Sequence, residues 1–197
     1  MIEITNINSS EPYKLFKKYF NDAIKNNQSN IDAIAISSFD SKNSEIESRF
    51  VNLKYINNEE WIFFSNYNST KAKNFAMFNK IAALFYWDSI NLQIRIKAKI
   101  EKSSDDFSNT HYTNRDLMKN ALAVSSNQSS PIESYDQVVK NYKQAYSSIK
   151  GSDNRPEYWG GYSFTPYYFE FWEGHESRIN RRNTYEITGN DWKHTIL

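Results

Sequence analysis

Beyond residue 10 the apolar positions first recur at helical spacing. Leu15, Phe16, Tyr19, Phe20, Ala23 and Ile24 are interleaved with Lys17, Lys18 and Asp22. That spacing gathers the apolar groups on one stripe of an α-helix of three to four turns. Pro12 fits its first turn, where a missing N–H costs nothing, and polar residues 26–30 end it. Residues 1–10 are polar and read as loose chain.

The period then shortens to two, the signature of strands. Residues 33–37 alternate, residues 40–43 turn, and residues 48–56 form the next strand. In it Arg49, Val51, Leu53 and Tyr55 share one face, and Phe50, Asn52 and Lys54 the other. Residues 57–59 turn the chain into a returning strand, 61–65. Ser69 is placed to cap a short helix carrying Ala72, Phe75, Ala76 and Phe78. Strands 80–87 and 92–102 flank a turn near Asp88 and Ser89, and residues 105–124 carry a helical pattern. Ser130-Pro131-Ile132-Glu133 reads as a capping box that opens a helix running to Ile149, and Lys150-Gly151-Ser152-Asp153 stops it. Residues 162–164, 167–172, 177–185 and a piece around 191–193 read as further strands. A single domain over residues 1–197, a mainly antiparallel barrel with peripheral helices, accommodates this order.

Composition narrows the chemistry. With 13 Phe, 14 Tyr and 5 Trp, the core is built from large flat side chains. Lys and Arg number 24 against 23 Asp and Glu, so no global field draws the protein to nucleic acid or an anionic membrane. The absence of Cys excludes disulfide scaffolds, Cys-ligated metal and thiol chemistry. No apolar run reaches the ~20 residues of a membrane span, and residues 1–12 lack a signal-peptide core, so a cytoplasmic protein is expected. His111, His175 and His194 show no metal-ligand spacing, and no metal is expected. What remains is a set of isolated cations. Arg49 and Lys54 sit on a strand among apolar neighbours. Lys71 lies in the first turn of a helix, where free N–H groups and the positive dipole end suit a phosphate. On pattern alone the same cations also fit a solvated face.

Several segments occur in an order that is specific as a set. They are residues 49–54 (RFVNLK), residues 63–71 (FFSNYNSTK), Leu84-Phe85-Tyr86-Trp87 with Gln93, Gln128-Ser129, Trp159-Gly160-Gly161-Tyr162, Glu170-Phe171-Trp172-Glu173-Gly174 and Arg178-Ile179-Asn180-Arg181-Arg182. Together they resemble the pyridoxamine 5′-phosphate oxidase family along nearly the whole chain. The resemblance implies an antiparallel FMN-binding split β-barrel that works as a homodimer. It also implies oxidation of pyridoxamine or pyridoxine 5′-phosphate to pyridoxal 5′-phosphate, with O2 as acceptor.

By the same resemblance Arg49, Phe50, Val51, Asn52, Leu53 and Lys54 run along the flavin, with Lys54 reaching towards substrate phosphate. Phe64 and Ser65 form the next contact, Phe64 standing where the family usually has Tyr. Lys71 binds the FMN phosphate and Gln93 addresses the ring system. Gln128 and Ser129 contribute across the dimer, and Trp172 and Arg182 close the cofactor site. Substrate binding is implied for His111, Arg115 and Lys119, which a helix would place on one face. Arg178 and Asn180 are the implied catalytic pair above the flavin and also touch substrate.

The chain departs from the family pattern in three places. Thr70 replaces one of two adjacent cations. His111 and Lys119 replace a Tyr and a Ser. Asn180 replaces a His, and an amide cannot change charge near neutral pH. These departures leave open an alternative: a split-barrel protein that binds flavin or pyridoxal phosphate without oxidase turnover.

Overall fold

The alternating segments pair into one nine-stranded sheet, seen in a computed structural model that describes residues 1–125, 128–150 and 154–197. The strands are β1 (Glu3–Ile7), β2 (Ala33–Asp40), β3 (Glu45–Asn58), β4 (Glu60–Asn66), β5 (Lys80–Trp87), β6 (Leu92–Lys102), β7 (Trp159–Glu173), β8 (Arg181–Thr188) and β9 (Asp191–Ile196). Around them lie α1 (Glu11–Lys25), α2 (Thr70–Met77), α3 (Asp105–Asn114), α4 (Leu117–Ser125) and α5 (Tyr135–Ser148). Six strands close on themselves in the order β3, β2, β5, β6, β7, β4 and back to β3, every pairing antiparallel. Closure removes the open edges that a flat sheet would expose. β1 adds to β3 in parallel, and β8 and β9 extend outward from β7.

Flat side chains fill the ring. Trp61, Trp87, Phe63, Phe85, Phe164, Phe169 and Phe171 are fully buried, and Ile34, Ile36 and Leu53 fill the spaces between them. α1 lays its Tyr13, Phe16, Tyr19, Phe20 and Ala23 face on this core, with the Phe16 ring 4.4 Å from Trp61 and 5.6 Å from Trp87. Aromatic pairs at such tilted and edge-on angles contribute beyond the area they bury.

Several boundaries differ from the sequence expectation. Residues 3–7 are a strand, because Glu3 and Ile4 find the edge of β3 at Tyr55 and Ile56. Residues 105–124 are two helices, since Arg115 takes an extended conformation and Asp116 caps the second by accepting from the Met118 N–H at 2.7 Å. The last long helix starts at Tyr135, with Ser134 accepting from the Gln137 N–H, rather than at the Ser130 box. Its expected stop at Gly151-Ser152-Asp153 lies outside the described residues. Residues 162–164 and 167–172 are one strand, β7. It runs through Pro166 because the β6 pairing shifts register between Lys97 and Ala98 and tolerates a residue without an N–H. The expected strand 177–185 begins only at Arg181, after a turn in which Arg178 is left-handed at φ 60°.

Candidate functional site

β3, β4 and α2 converge at one side of the ring, and α3 and α4 close over them. The cleft between has a volume of 320 Å³. Phe50, Val51, Asn52 and Lys54 come from β3, and Phe64, Ser65 and Asn66 from β4. Lys71 comes from α2, His111 and Arg115 from α3 and its end, and Gln128 and Trp159 from farther along the chain. A neighbouring recess of 510 Å³ continues past Lys71 to Arg49, Thr70, Glu47 and Ser129.

Lys71 dominates the electrostatics. It is 8% exposed, and its ammonium reaches only neutral oxygens: Ser69 Oγ at 3.2 Å and Gln128 Oε1 at 3.3 Å. Burial first, and the nearby Arg49 charge second, push its pKa down to about 8. Ser69 stands at the N-cap of α2, but its hydroxyl donates to the Asn66 carbonyl at 2.7 Å, and its lone pairs serve Lys71 rather than a helix N–H. Arg49 donates to Glu47 at 2.6 Å and to Ser38 at 2.7 Å. Burial lowers its pKa and the Glu47 carboxylate works against that shift. Among the described residues Lys71 has no carboxylate within ion-pair distance, so this end of the cleft matches an anion.

The opposite wall is a stack of rings. His111 lies 3.7 Å from Phe64 with the planes 10° apart, Trp159 stacks on Phe64 at 5.2 Å, and the Arg115 guanidinium sits 4.8 Å from the Trp159 ring. Tyr55 shares a 2.8 Å hydrogen bond with His111 Nδ1. Burial, then the charges of Arg115, Lys54 and Lys119, push the His111 pKa down to about 4, so the imidazole is neutral at pH 7. Gly161 makes this wall possible. A Cβ there would lie 2.7 Å from Ser103 Oγ and 3.3 Å from the Phe64 ring.

The expected residues separate into groups. Arg49, Phe50, Val51, Asn52, Lys54, Phe64, Ser65, Lys71, His111, Arg115, Gln128 and Ser129 line the cleft and its recess. Leu53 instead points into the core and is fully buried, as strand alternation requires of the neighbour of two outward residues. Lys119 is exposed and, after the break at Arg115, belongs to α4 rather than to the helix of His111; its carbonyl accepts from Arg115 at 2.8 Å, and its charge acts on His111 without touching the cleft. Lys54 pairs with Asp32 at 2.9 Å. Gln128 reaches Ser65 and Lys71 of its own chain.

Gln93, Trp172 and Arg182 form a separate row across β6, β7 and β8, paired in register. Arg178 and Asn180 lie in the β7–β8 turn, where Asn180 Oδ1 accepts from the His175 N–H at 3.0 Å. Trp159, Asn66 and Glu47 were not singled out as site residues by the sequence pattern. The signal for Trp159 was its position before Gly160-Gly161, where a bulky ring precedes two residues without side chains. Among the described residues no cluster of acidic and histidine side chains could hold a metal, and no helix is long and apolar enough to cross a membrane.

The fold is thus a closed antiparallel ring with a cationic, ring-walled cleft on its flank. Residues 159–197 match the family description "Pyridoxine 5'-phosphate oxidase C-terminal dimerisation region". The pyridoxine/pyridoxamine 5′-phosphate oxidase of Colwellia psychrerythraea is 34% identical over 186 residues, 93% of this chain and 85% of that protein. The Legionella pneumophila protein of the same name is 33% identical over 95% of this chain and 87% of its own length. The chain belongs to the pyridoxine/pyridoxamine 5′-phosphate oxidase family. PhzG from Burkholderia lata, solved in complex with tetrahydrophenazine-1-carboxylic acid, superposes with a TM-score of 0.89 at 25% identity, covering 95% of this chain and 92% of its own. A pyridoxamine 5′-phosphate oxidase-related, FMN binding protein of Nostoc punctiforme has the same split-barrel fold, with a TM-score of 0.76 at 10% identity over 96% of this chain and 98% of its own.

Proposed function

We propose that the protein is an FMN-dependent oxidase that converts pyridoxamine or pyridoxine 5′-phosphate to pyridoxal 5′-phosphate with O2 as acceptor. The observation that carries this reading is Lys71, a buried ammonium whose hydrogen-bond partners are neutral oxygens, the Glu47 carboxylate of the same recess being paired with Arg49. Such a group lacks its counterion, and the phosphate of FMN supplies one. Arg49, Thr70 and Ser129 line the same recess and complete the donor set. FMN, when bound, supplies the electron acceptor for the substrate's 4′ carbon and the route of electrons to O2. The chain's own residues bind and orient. The Phe64, His111 and Trp159 wall excludes water and offers a flat apolar face, while Arg115 and Lys54 offer cationic donors to the substrate phosphate.

The functional unit in this reading is a homodimer. The match to a dimerisation region over residues 159–197 supports it, and so does the position of Gln93, Trp172 and Arg182 away from the cleft of their own chain. A second copy brings that row to the cofactor.

One observation favours a second reading, flavin or pyridoxal phosphate binding without turnover. The Asn180 side chain already serves the turn that carries it, through the bond to the His175 N–H. The test is to purify the protein, measure released flavin, and follow O2 uptake with pyridoxine 5′-phosphate, pyridoxamine 5′-phosphate and tetrahydrophenazine-1-carboxylic acid. Bound FMN with uptake on a phosphorylated vitamer supports the oxidase. Bound FMN with no uptake leaves the binding reading, and a colourless dimer that takes up neither FMN nor pyridoxal phosphate removes both.

A further inference from the structure

The carboxylate of Glu170 is the most deeply buried charged group among the described residues, with 2% of the residue exposed. It lies on β7 between two arginines from the flanking strands. Its Oε1 accepts from Arg182 Nε at 3.0 Å and Nη2 at 2.8 Å, and its Oε2 accepts from Arg95 Nη1 at 2.7 Å and from the Tyr168 hydroxyl at 3.1 Å. Burial by itself would raise the carboxyl pKa, but the bonds from Arg182 and Tyr168 and the charge of Arg95 hold it below the usual carboxylate range. Both guanidiniums stay partly open, with Arg95 49% and Arg182 40% exposed. Arg182 is therefore gripped along its Nε–Nη2 edge by a carboxylate that cannot move, and its Nη1 side is left for something outside the strand. The cluster keeps a net positive charge on its outer surface.

We propose that Glu170 is the positioning residue of the cofactor site. By holding Arg182 with its carboxylate it presets the guanidinium that the second subunit's flavin meets. The physical advantage is entropic. A long side chain held in one rotamer before binding loses less freedom when the ligand arrives. This inference rests on the FMN reading above and concerns Arg182 as a flavin contact.

The experiment is a double-substitution cycle on the full-length dimer, read as the FMN dissociation constant by quenching of flavin fluorescence. Glu170→Gln keeps the shape, removes the charge and leaves one acceptor oxygen where two served two arginines, so the charge-assisted anchor of the pair is lost while both still reach solvent. Glu170→Gln is expected to weaken FMN binding about tenfold or more, and Arg182→Ala to weaken it comparably. The double variant is expected to be little worse than Arg182→Ala alone, because Glu170 acts through that residue. Circular dichroism and sedimentation of the apo-dimer check that each variant is folded and paired. A Glu170→Gln dimer with FMN affinity within twofold of wild type overturns the proposal, as do independent, multiplying effects of the two substitutions. A wild-type dimer that binds no FMN overturns the cofactor reading as well, which separates the two failures.

Discussion

Lys71 and Arg49 face the same recess, and the arginine's charge adds to burial in driving the lysine's pKa down to about 8. Glu47 pairs with Arg49 at 2.6 Å, whereas Lys71 has no carboxylate within ion-pair distance among the described residues, so an anion arriving here would meet the lysine rather than the arginine as the unpaired cation.

The first prediction follows from this pair. Lys71→Met should weaken FMN binding by about 1.5–3 kcal/mol, the range for a lost hydrogen bond to a charged group. Above pH 8 the free protein loses the Lys71 proton, whereas bound phosphate raises the amine's pKa and retains it. Wild-type affinity should therefore fall as pH rises from about 8, and Lys71→Met should bind weakly with no such slope. Equilibrium titrations at pH 7 and pH 9 decide it, and parallel slopes in both proteins would remove Lys71 from the phosphate site.

The substrate end predicts a preference for phosphorylated vitamers. Arg115 is fixed by the Lys119 carbonyl at 2.8 Å and by Trp159 beneath it, so its remaining donors are aimed before substrate arrives. A neutral hydroxymethyl group would leave them unmatched. Arg115→Lys keeps the charge but loses the stacked plane and the fork. Its KM for pyridoxine 5′-phosphate should rise about tenfold, with kcat less affected. Equal use of pyridoxine and its phosphate by the wild type would contradict this role.

A third prediction concerns the β7–β8 turn. Asn180 holds the His175 N–H and has no proton to exchange near neutral pH. The kcat profile of the wild type should show no limb that Asn180→Asp abolishes or moves. Asn180→His should add one near pH 6.5, the ordinary imidazole value. A wild type without turnover that gains it in Asn180→His would favour the binding protein over the oxidase.

How much of this was legible in the chain depended on whether the cause was local. The α1 stripe and the β5–β6 pair were readable because their periodicity is decided within each segment. β1 was not, because Glu3–Ile7 has little pattern of its own and becomes a strand only against Tyr55 and Ile56. Lys71 was readable as a candidate for an anion from its place after Ser69 at a helix start, yet its lack of a carboxylate partner among the described residues needed the tertiary structure. The sharing of one helix by His111, Arg115 and Lys119 failed on one residue: Asp116 caps a new helix, to which Lys119 belongs. Glu170 was unreadable in kind. Its meaning comes from strand register, which sets Arg95 opposite it on β6 and brings Arg182, two residues along β8 from its partner Thr184, to the same carboxylate.

The last prediction uses His111. Its pKa in the folded protein is about 4, against about 6.5 for an unperturbed imidazole. Between those values the unfolded chain takes up a proton that the folded chain refuses. Stability from this group is therefore complete above about pH 6.5 and is lost as pH falls towards 4. His111→Phe keeps a flat ring against Phe64 and has nothing to protonate, at the expense of the bond to Tyr55. At pH 7 that variant should lie within about 1 kcal/mol of wild type. At pH 5 it should have gained on wild type, since only the wild type carries the protonation penalty. Urea unfolding midpoints of both proteins at the two pH values measure the difference. An unchanged gap between them would show that the imidazole titrates in the folded protein as it does in the unfolded chain, and that the wall of the cleft is wetter than its packing indicates.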